Sequence, residues 1–250
     1  MIKATGLQVN FGSTRAVDNV SLTVPDSGTV GLLGPNGSGK TTLLRSLYGS
    51  QELNAGSIEL NGTAVSKLSR TQIAQSVAVV TQERDSELPI TVASFVLLGR
   101  IPHLGFGSSP NAADRQATAE AMRSVGIGHL ASREMTDLSG GERQRALIAR
   151  ALVQAENHVL LDEPTNHLDI RYQHEILNLV NQLPGGKLIV LHDLNLAARY
   201  CDRILMLHGG RIEAEGTPEE VLTSEILEPI YGIKIKRLDV DGDIVLHFML

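Results

Sequence analysis

The chain has 250 residues, of which 42% are hydrophobic and 20% are charged, as is usual for a globular protein. Its net charge of −6, its aromatic content of 3% and its lack of Trp argue against nucleic-acid binding, which needs a cationic surface and rings that stack on bases. No run of 18 residues is continuously apolar, so we expect no direct insertion into lipid. Cys201, the only cysteine, is expected to be a small packed residue.

The first part of the chain predicts a strand-rich region that leads into a glycine loop. Apolar and polar residues alternate towards the end of 16–24 (AVDNVSLTV), which predicts a half-buried antiparallel strand. Residues 27–34 (SGTVGLLG) then run apolar into the loop 34–42, and the leucines that follow have helical spacing. The pair Asn61-Gly62 predicts a β-hairpin.

The middle of the chain predicts helices inserted into an α/β domain that spans residues 1–216. Residues 76–82 (SVAVVTQ) predict a short strand that ends at Gln82. Residues 88–135 are richer in Ala, Ser and Gly, and 111–126 (NAADRQATAEAMRSVG) have a helical pattern. We therefore expect a helical subdomain at about 88–155.

From residue 138 onwards, helices and strands alternate. Residues 142–153 (ERQRALIARALV) predict a helix whose arginines point largely outward and whose inward residues are Leu147, Ile148, Ala151 and Leu152. The segments 158–164 (HVLLDEP) and 187–193 (KLIVLHD) predict parallel strands buried on both faces, each ending in acids or His. Polar groups at the carboxyl ends of such strands lie where open α/β sheets bind ligands.

Residues 217–250 predict a separable extension. Thr217 and Glu220 form a capping-box pattern, with Pro218 at the first helical position. The pair Asp241-Gly242 predicts a second hairpin. We expect a structural role for this extension.

The segment 34–42 (GPNGSGKTT) has the pattern G-x-x-x-x-G-K-[ST] between a predicted strand and a predicted helix. Its glycines let backbone N–H groups face phosphate oxygens, Lys40 can reach the β- and γ-phosphates, and the Thr41 hydroxyl can bind Mg²⁺. We therefore predict a nucleotide-phosphate site formed by Gly34, Pro35, Asn36, Gly37, Ser38, Gly39, Lys40, Thr41 and Thr42.

Asp162 and Glu163 follow three aliphatic residues at the end of a predicted buried strand. Because adjacent residues of an extended chain point to opposite sides, the two carboxylates can have different tasks. We expect Asp162 to hold Mg²⁺ through water and Glu163 to polarise the water that attacks the γ-phosphorus.

Four further residues are candidates with simpler alternatives. The Gln82 amide could contact Mg²⁺ or the attacking water, or it could be a surface glutamine. His192 could donate a hydrogen bond to the γ-phosphate, or it could be a buried histidine whose hydrogen bonds are satisfied. Phe11 could stack on adenine or belong to the core, and Asp169 of the loop NHLD (166–169) is placed to contact a partner chain.

These motifs in this order resemble the ATP-binding-cassette (ABC) ATPases. The segment LSGGE is the most specific of them, because other phosphate-loop families lack it. The matching elements are the loop 34–42, Gln82, LSGGERQR (138–145), VLLDEP (159–164), NHLD (166–169) and His192.

The resemblance implies a P-loop NTPase fold, with a RecA-like core of mixed, mostly parallel sheet, an antiparallel β-subdomain and an inserted α-helical subdomain. It implies a head-to-tail homodimer that binds ATP and Mg²⁺ between the phosphate loop of one chain and the LSGGE segment of the other. The residues implied on the second side are Ser139, Gly140, Gly141, Glu142 and Asp169.

The resemblance also implies catalytic roles. Glu163 would be the catalytic base and His192 the sensor of the γ-phosphate. Gln82 would bind the metal together with Thr41 and Asp162, and would link the site to the helical subdomain. That subdomain is implied to dock on polytopic membrane permease subunits.

Residues 88–105 resemble the ATPases of bacterial importers for ferric siderophores, haem and cobalamin. In that group a GR-x-P-H stretch follows the docking helix, and here its residues are Gly99, Arg100, Pro102 and His103. The resemblance implies a protein at the cytoplasmic face of the cell membrane, a ferric siderophore as cargo and a substrate-binding protein as an indirect partner. His103 is not expected to bind iron, because the substrate passes through the permease.

Alternative functions remain open at this point. One is the same machine for haem, cobalamin or molybdate, since this subunit does not hold the cargo. Another is a soluble ABC ATPase of iron–sulfur cluster assembly. An exporter is disfavoured, because exporters usually fuse the cassette to membrane helices.

Overall fold

The computed structural model describes residues 1–81, 89–105, 107–154 and 157–249. In chain order the strands are β1 (Ile2–Phe11), β2 (Thr14–Val24), β3 (Gly28–Leu33), β4 (Ala55–Leu60), β5 (Thr63–Ala64), β6 (Val77–Val80), β7 (His158–Asp162), β8 (Gly186–Val190), β9 (Arg203–His208), β10 (Arg211–Gly216), β11 (Lys234–Val240) and β12 (Asp243–Met249). The α-helices are α1 (Lys40–Leu47), α2 (Arg70–Ser76), α3 (Val92–Leu97), α4 (Ala112–Ser124), α5 (Gly140–Gln154), α6 (Ile170–Gln182), α7 (Leu194–Tyr200), α8 (Pro218–Val221) and α9 (Ser224–Tyr231). The chain divides into a first unit, Met1–Lys67 with Gly186–Leu250, and a second unit, Leu68–Gly185.

The first unit contains an antiparallel sheet in the order β2-β1-β4-β5. Buried Val20, Leu22 and Val24 alternate with exposed residues along β2, which confirms the predicted half-buried strand. Asn61 and Gly62 have φ values of 50° and 77° between the paired strands β4 and β5, so the predicted hairpin is also confirmed.

The strands β10, β9, β3 and β8 are hydrogen-bonded in that order in the first unit. Strand β3 is parallel to β8 and β9, whereas β9 and β10 are antiparallel, so the pairing is mixed and mostly parallel. Cys201 is buried, and a Cβ on Gly31 would lie 2.8 Å from its Sγ, so the thiol fills the space beside β3. Burial raises the pKa of Cys201 to about 12, as expected for a packed thiol.

The extension 217–250 forms helices α8 and α9 and the antiparallel hairpin β11-β12 within the first unit. The capping box of Thr217 and Glu220 is present, and Asp241-Gly242 connects the two strands, as predicted. The Asn195 side chain of α7 accepts a hydrogen bond from Leu246 N at 2.7 Å and donates one to Leu246 O at 3.3 Å. These bonds attach the hairpin to the helix that follows β8.

The second unit contains the parallel pair β6 and β7 and most of the helices. Helix α4 confirms the helical pattern of 111–126, and its N-terminus has a capping box of Asn111 and Asp114. None of the helices that the described residues form is long and apolar enough to cross a membrane.

The prediction that the arginines of α5 point largely outward is wrong for Arg145 and Arg150. Arg145 donates hydrogen bonds to Val125 O at 2.9 Å and to Glu175 Oε2 at 2.7 Å. The Arg150 guanidinium lies 4.7 Å from the centroid of the buried Phe95 ring. Tertiary partners therefore hold side chains that the helical pattern alone assigned to solvent. On the apolar side, Val153 is buried and Leu152 is only partly buried.

Candidate functional site

The loop 34–42 connects β3 to α1, as the sequence pattern requires. Gly34, Gly37 and Gly39 have φ values of 147°, 77° and 104°, which residues with a side chain rarely adopt. A Cβ on Gly39 would overlap with the Ala16 carbonyl oxygen, and one on Gly34 would overlap with the Leu207 carbonyl oxygen. The glycines are therefore required by backbone packing as well as by the turn.

Lys40 lies inside the curve of this loop. Its side chain is buried, and Nζ donates hydrogen bonds to Gly34 O at 2.8 Å and to Pro35 O at 3.0 Å. These two hydrogen bonds satisfy the buried amino group and hold it at the loop. An anion bound in the loop would therefore lie close to the Lys40 side chain.

The loop also offers donors that suit an anion. The Ser38 Oγ atom is buried and has no hydrogen-bond partner among the described residues. No described side chain caps α1, and the first N–H groups of a helix have no partner within the helix itself. Backbone N–H groups, a hydroxyl and an ammonium together form the donor set that phosphate oxygens accept from.

His192 lies at the same edge of the first unit as the phosphate loop. Strands β3 and β8 are parallel neighbours, with Leu32 paired to Val190, and Leu191 N donates to Leu32 O at 3.3 Å. The two strands therefore end together, and the segments that follow them begin at the same edge. His192 is exposed two residues beyond the end of β8, so the alternative of a buried histidine is wrong.

Tyr231 is a neighbour of the loop that the sequence did not indicate. Its hydroxyl, at the end of α9, lies near the backbone N–H of Gly34, which acts to lower the pKa of the phenol. Burial raises the pKa of Tyr231 to about 12, so the phenol is protonated at neutral pH. No local pattern relates the two residues, because they come together only when the extension packs.

Asp162 and Glu163 end strand β7 in the second unit. Asp162 is buried, whereas Glu163 is partly buried and has a φ value of 52°, which is uncommon for a residue other than glycine. Asn166 Nδ2 donates to Glu163 Oε2 at 3.2 Å, and Asn166 N donates to Glu163 O at 3.1 Å. Glu163 therefore lies in the turn that follows the extended strand, and Asn166 holds its carboxylate.

The LSGGE segment forms the N-terminal end of α5. Ser139 Oγ donates to Glu142 Oε2 at 2.7 Å, and Ser139 N donates to the same oxygen at 2.9 Å. These bonds hold the pKa of Glu142 below its usual range. A Cβ on Gly141 would lie 2.8 Å from Tyr172 Cδ1, so the first turn of α5 packs closely against α6.

Asp169 lies beside this helix start. Its Oδ1 atom accepts a hydrogen bond from Tyr172 N at 3.0 Å, which makes Asp169 the N-cap of α6. The next residue, Ile170, has 76% of its surface exposed, which is unusual for a large apolar side chain. Ser139 and Gly140 of the LSGGE segment are exposed as well, and so is most of the loop 166–169.

Gln82 and Phe11 are two further residues that the sequence predicts for the site. Gln82 lies outside the described residues, beyond the end of β6. Phe11 ends β1 with 53% of its surface exposed, so the alternative that it belongs to the core is wrong. Its ring is accessible to a flat ligand.

The chain matches the family model described as ABC transporter over residues 17–166. It is 41% identical to the hemin import ATP-binding protein HmuV of Pseudomonas fluorescens over 243 residues, which cover 94% of each chain. It is 36% identical to the ferric enterobactin transport ATP-binding protein FepC of Escherichia coli, with 95% of this chain and 89% of that protein covered.

Among solved structures, the chain resembles one from a transporter assigned to the metal-chelate type of ABC transporter, in an inward-facing conformation. The TM-score is 0.85 at 28% identity, with 99% of this chain and 96% of that chain covered. This similarity confirms the predicted fold class, a P-loop NTPase of the ATP-binding-cassette kind.

Proposed function

The chain belongs to the ABC transporter family as an ATP-binding and ATP-hydrolysing subunit, and we propose that it powers the uptake of a ferric siderophore by a bacterial importer. The observation that carries the importer assignment is the near full-length similarity to two proteins named for hemin import and ferric enterobactin transport. The stretch Gly99-Arg100-x-Pro102-His103 supports the same group of importers.

In this proposal the first unit holds the phosphates of ATP. Lys40 neutralises the β- and γ-phosphates, while Ser38 and the N–H groups at the start of α1 donate hydrogen bonds to their oxygens. His192 donates to the γ-phosphate from the neighbouring strand end, and the exposed ring of Phe11 stacks on adenine. The packing of Gly34 and Gly39 supports a loop shaped before ATP arrives, so little binding energy is lost in ordering it.

Glu163 is the proposed general base. Its carboxylate accepts the proton of the water that attacks the γ-phosphorus, while Asn166 keeps it oriented. The uncommon backbone conformation of Glu163 supports a functional role, because such conformations cost energy and are often retained at active sites.

Mg²⁺ is the proposed metal, held by Thr41 and Asp162 with Gln82. Hydroxyl, carboxylate and amide oxygens are hard ligands that suit this ion, and the buried Asp162 fits that role. Within the described parts of the chain, no three acidic, His or Cys side chains converge on a metal position. The remaining ligands would be phosphate oxygens and water, and the ion would supply positive charge that offsets the phosphates.

A second copy of the chain is the proposed partner at the LSGGE segment, in a head-to-tail homodimer. Ser139, Gly140 and Gly141 form the positive end of α5, and Glu142 completes their cap. The exposed Ile170 beside Asp169 supports a surface that becomes covered on association. The γ-phosphate held by Lys40 of one chain would then meet Ser139 of the other.

The permease is proposed to dock on a groove of about 650 Å³ between α3 and α4 in the second unit. Its lining includes the apolar residues Leu97, Ala119 and Met122 and the basic residues Arg115 and Arg123. A short amphipathic permease helix with acidic residues fits this chemistry. Docking there would place the chain at the cytoplasmic face of the membrane, with the substrate-binding protein acting through the permease.

The variant Glu163→Gln tests the catalytic assignment. We expect turnover to fall about 1,000-fold, because the proton of the attacking water loses its acceptor, while ATP affinity stays within about twofold. Steady-state ATP hydrolysis and fluorescent-nucleotide binding measure the two quantities. Glu134→Gln, at an exposed position of the same unit, is the matched control. Wild-type turnover in Glu163→Gln would rule out this base.

Uptake by whole cells tests the cargo. Cells that carry either the wild-type chain or Glu163→Gln would be given a labelled ferric siderophore, hemin, cobalamin or molybdate in parallel. We expect ferric-siderophore uptake to require the wild-type chain. Uptake of the other three substrates should be the same in cells with either chain. If the uptake of only one other substrate required the wild-type chain, that substrate would replace the siderophore in the proposal.

Haem is the second candidate cargo, because the hemin import protein shares more identity with this chain than the enterobactin protein does, 41% against 36%. The uptake experiment separates the two. The partners that co-purify with the tagged chain distinguish either importer function from that of an ATPase of iron–sulfur cluster assembly. A membrane permease should accompany an importer subunit, whereas soluble scaffold proteins alone would contradict the importer assignment.

A further inference from the structure

The segment 99–103 (GRIPH) packs against the C-terminal end of α5. A Cβ on Gly99 would lie 2.6 Å from Val153 Cγ2 and would overlap with the Arg150 carbonyl oxygen. Glycine is therefore the residue that allows the backbone of this segment to approach the helix so closely.

Arg100 connects two helix ends. Its Nη1 atom donates to Val153 O at 2.9 Å, at the end of α5, and its Nε atom donates to Asp114 Oδ1 at 2.9 Å. The other oxygen of the buried Asp114 accepts from Asn111 N at 3.0 Å, in the cap of α4. One guanidinium thus joins the C-terminal end of α5 to the N-terminal end of α4.

His103 binds the next carbonyl of the same helix end. Its Nε2 atom lies 2.6 Å from Gln154 O, and the carbonyl oxygen accepts from the ring nitrogen. The last carbonyls of a helix have no partner within it, and cationic or donor side chains there are favourable. Arg100 and His103 therefore supply two donors that helix α5 cannot supply for itself.

The opposite end of α5 carries the LSGGE segment. The helix has 15 residues and is about 22 Å long, so a tilt of roughly 10° at its C-terminal end moves its N-terminal end by about 4 Å. The contacts of 99–103 lie at the C-terminal end of α5, and the proposed contact with the γ-phosphate lies at its N-terminal end. The same segment follows directly after α3, which lines the groove proposed for the permease.

We infer that Arg100 and His103 are positioning residues for ATP hydrolysis, which fix the direction of α5 so that Ser139 meets the nucleotide of the partner chain. This inference rests on the proposed function of the LSGGE segment. In this inference the GR-x-P-H stretch transmits a displacement of α3 to helix α5, and thereby moves Ser139 during the ATPase cycle.

Steady-state hydrolysis by the full chain, with nucleotide affinity measured separately, tests the inference. We expect Arg100→Ala to lower kcat about 10-fold, because a misplacement of about 1 Å is enough for such a loss, while KM and ATP affinity stay within about twofold. His103→Ala should lower kcat about threefold. Arg100→Lys, which keeps the charge and one hydrogen bond, should recover part of the loss.

The control is Arg70→Ala, which removes an exposed arginine of α2 in the same unit and should leave all three quantities unchanged. Hydrogen exchange supplies a readout that does not depend on turnover, since the amides of 139–142 should exchange faster in Arg100→Ala than in Arg70→Ala. An Arg100→Ala chain with wild-type kcat, or one whose KM and affinity worsen as much as its kcat, would overturn this inference alone. An inactive wild-type chain would overturn the proposed function with it.

Discussion

Helices α1 and α5 both have glycines at their start, since α1 follows Gly39 and α5 begins at Gly140, but their first turns are organised differently. The loop before α1 is packed on backbone atoms, with Gly34 and Gly39 leaving no room for a side chain and Lys40 buried against the loop's own carbonyls. At the start of α5, Ser139 and Gly140 are exposed, and Ser139 donates a hydrogen bond to Glu142.

The difference indicates what each helix start requires from a ligand. No described side chain caps α1, so its N–H groups and the buried Ser38 hydroxyl are suited to phosphate oxygens. The first turn of α5 already has a cap, so a weaker and shared contact is expected there. We interpret the first as a site that binds the phosphates of a nucleotide within one chain and the second as a surface that contacts the nucleotide of a partner chain.

The largest expected effect comes from Ser139→Arg. A long cation at the exposed start of α5 would block close approach of a second chain, so we expect turnover to fall at least about 1,000-fold. ATP affinity of the single chain should stay within about twofold, because the phosphate loop is unchanged. Steady-state hydrolysis and equilibrium nucleotide binding give the two values.

The matched control is Thr136→Arg, which adds the same charge at an exposed position three residues earlier. It should keep at least half of the wild-type turnover. An equal loss of ATP affinity in Ser139→Arg would mean that Ser139 serves the nucleotide of its own chain.

The next largest effect is a difference in ATP affinity between alanine substitutions at the two helix starts. Gly39→Ala meets the Ala16 carbonyl at a φ value of 104°, so we expect ATP affinity to fall about 100-fold. Gly140→Ala meets only Leu168 Cδ2 at 3.5 Å, an ordinary contact, and should leave affinity within about twofold. Isothermal titration of both variants measures the ratio, and similar losses would contradict the distinction between the two turns.

The smallest effect concerns the cap of α5. The Ser139 hydrogen bonds lower the pKa of Glu142 in the folded chain, so the ionised carboxylate stabilises the fold above its ordinary pKa of 4.5. This contribution is lost as the pH falls from 4.5 through the lowered folded value. Glu142→Gln should therefore lower Tm by no more than about 2 °C at pH 7 and have no such effect at the acid end.

Thermal unfolding of the wild type and Glu142→Gln across this pH range tests the cap. Glu52→Gln, at an exposed acid in the first unit, is the control. If the Tm difference between the wild type and Glu142→Gln grew as the pH fell, the pH dependence would have the opposite sign. That result would contradict a stabilising role for the ionised Glu142 carboxylate.

Several features could be predicted from the sequence because neighbouring residues decide them. The turn at Asn61-Gly62 needs positive φ values that Asn and Gly adopt easily, and the alternation along β2 follows from one buried face. The glycine pattern of 34–42 likewise indicates the loop between β3 and α1. The order of the motifs was sufficient to indicate the family.

Only the tertiary structure decided which distant groups meet. Arg145 and Arg150 have solvent-facing positions in the helical pattern, but Val125, Glu175 and Phe95 hold them. Tyr231 reaches Gly34, and Arg100 reaches Val153, across long stretches of chain. Hydrogen bonds and close packing of this kind depend on where whole elements dock, and no local periodicity or turn preference records that docking.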